Sequence, residues 1–134
     1  MALSHCIDWA LEVADLPAIK HVGIPGRQVS DLPCAQVYAG PGEFDASTVS
    51  GPYGFGIYEV EVAFHFPVQQ VGENLPHMWE LVGAFRKAVK DKELGNGVHG
   101  KGALSYRPFG GKIGNTQTHG VVFRLILESE EPRE

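Results

Sequence analysis

The stretch IYEVEVAFHF, residues 57–66, predicts the central strand of the fold. From Tyr58 to Phe66, apolar and aromatic side chains recur at every second position, which is the side-chain period of a β-strand. The alternate positions include Glu59, Glu61 and His65. We therefore expect a sheet with one apolar face and one face that carries carboxylates.

Length and charge narrow the classes of protein to which this chain could belong. It has 134 residues, which fits a single domain over residues 1–134 with a core of its own. The net charge of −5 argues against a protein that wraps nucleic acid, because phosphate binding needs clustered lysine and arginine. Neither a signal peptide nor an apolar stretch of the ~20 residues that a membrane span needs is visible. We expect a protein of a reducing, aqueous compartment that does not enter membranes.

The second strong signal is a long amphipathic helix after the central strand, from Leu75 to Leu94. Asn74 is expected as its N-cap, Pro76 fits its first turn, and Gly95 is expected as its C-cap. The apolar stripe of this helix is formed by Leu75, Trp79, Val82, Phe85 and Val89, and it is widened by Met78, Leu81 and Ala88.

Weaker patterns predict the remaining elements. A short helix from Leu3 to Asp15, with Trp9 off its apolar stripe, precedes a Pro/Gly connector that holds a short extended piece around residues 18–22. Gly40 to Gly56 is predicted as a long loop, and residues 129–134 as a frayed end. The other predicted strands are Cys34–Ala39, Lys101–Phe109 and His119–Glu128.

These elements predict an α+β fold, with an about four-stranded, mainly antiparallel sheet. The long helix packs on one sheet face. The other face is not fully polar, because Ile57, Ala63, Val122 and Ile126 belong to it. We expect the short N-terminal helix to cover part of this second face and another copy of the chain to cover the rest.

No constellation specific to catalysis or to metal binding is found in the sequence. The motifs HExxH, GxSxG and GxxxxGK[ST] are absent, and the six histidines lack the spacing of ligand pairs. His65 and His119 could approach each other across paired strands, but half-exposed surface histidines are favoured. Cys6 and Cys34 could pair, although free thiols are favoured. We therefore expect a protein that is not an enzyme and that holds no cofactor or metal.

Two charged clusters each allow a plain and a more specific interpretation. Glu59 and Glu61 could act as an acid/base pair, but a solvated acidic face is favoured. The cluster from Arg86 to Lys92 matches the negative end of the helix dipole. It could instead supply ion pairs between subunits, with Arg86 and Lys90 as candidates.

The order of elements resembles the tail terminator proteins of tailed bacteriophages, also called tail-completion or tail-to-head joining proteins. The likeness spans nearly the whole chain and lies in its layout more than in single residues. After the short helix and its connector, it is carried by PCAQVY at residues 33–38 before a long polar loop, YEVEVAF at 58–64, MWELVGAFRKAV at 78–89 and GVVFRLIL at 120–127.

The resemblance implies a structural protein of the virion tail or neck, assembled in the host cytoplasm. Such proteins form a homo-oligomeric ring, usually of six copies, that caps the tail tube and stops the addition of further tube protein. The ring also offers a surface to the head-connector and neck proteins, and DNA passes through its bore without specific binding. An acidic bore would repel DNA phosphates, and Glu59 and Glu61 are the candidates for its lining.

The same resemblance suggests where subunits and tube meet. The long loop, with its aromatic residues Phe44, Tyr53 and Phe55, is the candidate contact with a neighbour or with the tube. The candidate intersubunit residues are Ile57, Val122, Ile126, Arg86 and Lys90. The alternatives are another neck or head-closure protein, a cellular oligomeric module, and a small ligand-binding domain or enzyme, which would need a concave apolar pocket with converging polar groups.

Overall fold

The computed structural model describes residues 2–24, 32–44, 53–67, 71–95, 98–113 and 116–132. Within these ranges the chain forms two helices and five strands. In chain order they are α1 (Ala2–Ala14), β1 (His21–Gly23), β2 (Cys34–Phe44), β3 (Tyr53–Pro67), α2 (Val71–Asp91), β4 (Val98–Ile113) and β5 (Thr116–Pro132).

The strands form one mixed sheet in the order β1-β2-β3-β5-β4. β1 is parallel to β2, and the other neighbours are antiparallel. The prediction of a four-stranded, mainly antiparallel sheet was therefore wrong. The additional strand, β1, is only three residues long, and a three-residue strand is too short to show a side-chain period.

Several strands extend into stretches that the sequence assigned to loops or to a frayed end. β2 and β3 remain paired up to Phe44 and Gly56, so most of the predicted loop from Gly40 is strand, and only residues 45–52 lie outside the description. β5 continues to Pro132, and Ser129, where fraying was expected, is fully buried. The extension of β2 and β3 was not predicted because its glycines contribute no side chains to the alternating pattern. Position 56 leaves little room for a side chain, since a Cβ on Gly56 would approach the Tyr58 ring to 2.7 Å.

The alternation predicted for β3 is confirmed, and its apolar face carries both helices. Phe85 of α2 lies 5.2 Å from Phe64 and 4.4 Å from Phe123, measured between ring centroids. Phe64 and Phe123 themselves meet edge to face at 5.7 Å. The buried side chains of β3 on this face are Tyr58, Val60, Val62, Phe64 and Phe66.

The helices were predicted in the right order, but their orientation on the sheet differs from the prediction. α2 begins at Val71, so neither Asn74 nor Pro76 lies at its start. Its buried stripe is Met78, Leu81, Phe85 and Val89, whereas Trp79 is 67% exposed. α1 packs on the same sheet face as α2 and buries Trp9, which was expected off its stripe. The expectation that α1 covers the second face was therefore wrong.

A cluster of polar contacts around Trp9 joins both helices to β4. Lys101 donates hydrogen bonds from Nζ to the carbonyl oxygens of Val89, Lys90 and Lys92, at 3.0, 2.9 and 3.0 Å. Trp9 donates from Nε1 to the carbonyl of Glu93 at 3.1 Å. The end of α2 is thus capped by a cation from β4, which suits the negative end of a helix dipole.

Candidate functional site

The candidate site is the sheet face opposite the two helices, called the second face here. Cross-strand partners share a sheet face, so the register defines its members. On the three inner strands they include Cys34, Gln36, Glu59, Glu61, Ala63, His65, Val122, Arg124 and Ile126. Both described helices pack on the other side, so in the described part of the chain neither of them covers this face.

The middle of the second face is nevertheless buried. Ala63, His65 and Val122 are 3%, 2% and 5% exposed. His65 packs edge to face against Phe109 of β4, with 5.1 Å between ring centroids. This face therefore does not present the broad apolar surface that would require a covering subunit.

Glu59 and Arg124 form an ion pair on the second face. The Glu59 side chain is 8% exposed, and its Oε1 accepts hydrogen bonds from Arg124 Nε at 2.8 Å and from Nη2 of the same guanidinium. The prediction of a solvated acidic face was thus wrong for Glu59, because its side chain is buried and its charge is compensated by Arg124. Glu61 remains half-buried, with Tyr38 and Arg124 as its cross-strand partners.

His65 and its cross-strand neighbour Cys34 are the buried side chains on this face whose chemistry is most relevant to catalysis. His65 Nδ1 lies 2.7 Å from Thr118 Oγ1, while Nε2 has no hydrogen-bond partner among the described residues. Burial lowers the pKa of His65 to about 4 and raises the pKa of Cys34 to about 11. Both groups are therefore neutral near pH 7, and they do not form the thiolate–imidazolium pair of a cysteine nucleophile.

The idea of a metal held between His65 and His119 is not supported. His119 is the partner of Phe66, and His65 is the partner of Gly120, so the two rings lie on opposite faces of the sheet. In the described ranges, no group of three or more potential metal ligands comes together. Within the same ranges, no helix is both long enough and apolar enough to cross a membrane.

The structure brings together only part of the predicted intersubunit set. Ile57, 41% exposed, and the half-buried Ile126 line a shallow groove of about 340 Å³ at one end of the second face. Val122 is buried within the chain. Arg86 and Lys90 are exposed on α2, on the other side of the sheet.

The predicted contact aromatics lie in paired strands. Phe44 ends β2, and Tyr53 and Phe55 belong to the first residues of β3. Their backbones are close to the end of the sheet that carries Ile57. Their side chains fall outside the described part of the structure.

Two surface features were not predicted from the sequence. One is a groove of about 520 Å³ where the residues after α1, Pro33 and the first half of α2 meet. The other is a pair of exposed aromatic side chains, Trp79 and Tyr106. Trp79 was missed because its spacing fits an apolar stripe as well as the buried residues do.

Comparison with known protein families finds no family model that matches this chain, and comparison with curated proteins finds no match either. The functional argument therefore depends on the fold and on the surfaces described above.

A double-mutant cycle tests the ion pair. Arg124→Met leaves the buried carboxylate of Glu59 unpaired, so we expect the free energy of unfolding to fall by about 1–3 kcal/mol. Adding Glu59→Gln removes the buried charge and should recover part of that loss, which denaturant unfolding at pH 7 would measure. Arg107→Met, at an exposed arginine of β4, is the matched control. Strictly additive effects of the two changes would contradict the pairing.

The neutral state of His65 predicts a loss of stability in mild acid. The unfolded chain takes up this proton near pH 6.5, whereas the folded chain resists it until about pH 4. The contribution is thus complete above pH 6.5 and is lost progressively towards pH 4, by up to about 3 kcal/mol. His65→Gln should flatten this part of the stability–pH curve, and His5→Gln, at an exposed histidine of α1, should not. Equal slopes for His65→Gln and wild type would contradict the assignment.

Proposed function

We propose that this chain is a structural subunit that assembles head to tail into a closed ring, as tail terminator proteins of tailed bacteriophages do. The observation that carries the proposal is that the sheet has two unequal, largely unpaired edges. β4 is 16 residues long, and β5 is the one strand that pairs with it in the described part of the chain. On β2, the partner β1 reaches only Cys34 to Gln36, so among the described residues the edge from Val37 onwards is unpaired.

The two edge strands, β2 and β4, run in directions that allow them to pair between copies. Three antiparallel steps separate β2 from β4, so the two strands run in opposite directions. When β4 of one copy is placed beside β2 of the next, the pair is therefore antiparallel. Exposed edges promote uncontrolled pairing, and a head-to-tail contact that closes on itself uses every edge. We propose that the ring, with six copies as in the family that the chain resembles, closes through these edges.

In the proposed ring, the helices lie outside and the second face lines the bore. The Glu59–Arg124 pair presents little net charge there, and Glu61 adds a negative one, so DNA would pass without being held. The end of the sheet that carries Ile57 is the proposed contact with the tail tube protein, and the strand ends at Phe44 and Tyr53 belong to the same end. Head-connector or neck proteins would bind the opposite rim in the virion.

The test is genetic. Deleting the gene from its phage should give overlong tails that are detached from heads, because nothing would stop tube growth, and electron microscopy would measure their length. Wild-type protein and Leu94→Asp, a change at an exposed apolar residue outside the second face, should restore normal tails. Ile57→Asp should not restore them. Tails of normal length in the deletion strain would reject the terminator role.

A second candidate function, binding of a small apolar ligand, is favoured by the groove between the residues after α1 and the first half of α2. Its volume of about 520 Å³ lies within the range of ligand sites, and Leu16, Phe66 and Leu81 line it together with the polar His77 and Glu80.

Titration with a fluorescent apolar anion, anilinonaphthalene sulfonate, tests this second candidate. If it is right, the wild-type protein binds the probe saturably. Ala84→Phe fills the groove and should abolish this binding, whereas Ala103→Phe, at an exposed position of β4, should not. The absence of saturable binding by the wild type would remove this candidate.

A further inference from the structure

Trp79 on one flank of α2 and Tyr106 on β4 are large aromatic side chains that remain exposed in the described part of the chain. His77, Glu80 and Ala84 line the groove on the side of α1. At 100° per residue, Trp79 lies on the opposite flank of the helix, towards β4. Tyr106 of β4, 59% exposed, packs against Phe123 on this same side of the sheet. Trp79, Val82, Arg86 and Tyr106 are called the aromatic edge here.

The composition of the aromatic edge is that of an interface centre. Tryptophan, tyrosine and arginine are the residues that most often dominate binding energy at protein interfaces. The surface is also basic, because Arg86 on α2 is exposed, as is Lys112 on the same face of β4 as Tyr106.

The opposite side of the same helical layer has complementary features. A groove of about 690 Å³ separates α1 from β1 and is called the α1–β1 groove here. Ile7, Leu11 and Val22, all half-buried, supply apolar lining, and the carboxylates of Asp8 and Asp15 stand among the lining residues. Lys20 and His21 line it as well, and Glu12 of this groove is bound to Lys92.

We propose that the aromatic edge of one copy docks into the α1–β1 groove of the next copy. The inference rests on the proposed ring and names its contact between side chains. Both surfaces belong to the helical layer, and they lie at opposite edges of the sheet, so the arrangement that aligns β4 with β2 also brings them together. The basic, aromatic side meets an acidic, apolar groove. Such a heterologous contact repeats around a ring until every surface is occupied.

Sedimentation velocity over a range of concentrations tests the contact with variants at exposed positions. Trp79→Ala removes the centre of the aromatic edge and should raise the dissociation constant between subunits about 30-fold or more. The double variant Asp8→Lys, Asp15→Lys should weaken assembly through the groove. Leu94→Ala, at an exposed apolar residue outside both surfaces, is the matched control and should assemble as the wild type does. Circular dichroism and thermal unfolding verify that each variant is folded.

Mixing the variants distinguishes a head-to-tail contact from a symmetric one. The Trp79→Ala chain keeps an intact groove, and the Asp8→Lys, Asp15→Lys chain keeps an intact aromatic edge. An equimolar mixture should therefore form dimers that grow no further. In addition, Arg86→Glu should weaken assembly, and combining it with Asp8→Lys and Asp15→Lys in one chain should restore it.

The outcomes separate this inference from the proposed function. If the wild type assembles and Trp79→Ala assembles equally well, the proposed contact is wrong, and the ring would have to form through another surface. If the wild type stays monomeric at every concentration, both the contact and the proposed ring are overturned. Assembly of the mixed variants beyond the dimer would also overturn the contact.

Discussion

The packing of Phe85 against Phe64 and Phe123 is the interaction on which the rest of the structure depends. It attaches α2 to the two central strands and sets the rotation of the helix about its own axis. Because α1 packs on the same side, the molecule has two layers, with all described helical structure on one sheet face. Interlocking aromatic rings tolerate little rotation, so Trp79 is left at the surface.

In this two-layer arrangement, contacts among its own side chains stabilise part of the second face. The Glu59 carboxylate is held by Arg124, and His65 is kept neutral by burial beside Phe109. A buried carboxylate without that partner would be costly, so the pair explains how a strand with alternating glutamates can lie in the middle of a sheet. The second face is consequently compatible with lining the bore of the proposed ring, and the contacts proposed between copies lie at the edges of the sheet and of the helical layer.

Local sequence patterns predicted those features that a few neighbouring residues decide. Alternation over residues 57–66 placed β3 and its buried side correctly, and the helical period identified both helices. The extended piece predicted around residues 18–22 overlaps β1, but its place in the sheet was not predicted, because three residues show no period and the parallel partner β2 lies beyond a connector. The strand extensions were not predicted because glycines such as Gly42 and Gly56 contribute nothing to the alternation of apolar and polar side chains, although each is paired across the sheet.

The sequence by itself determined the two helices, the central strand and which side of β3 is apolar, because backbone geometry and side-chain period act over short distances. Only the tertiary structure decided that α2 buries Met78 in place of Trp79, that both helices share one face, and that Glu59 has a partner. Each of these depends on residues far apart in the chain, such as Glu59 and Arg124, 65 positions apart, whose meeting no local pattern encodes.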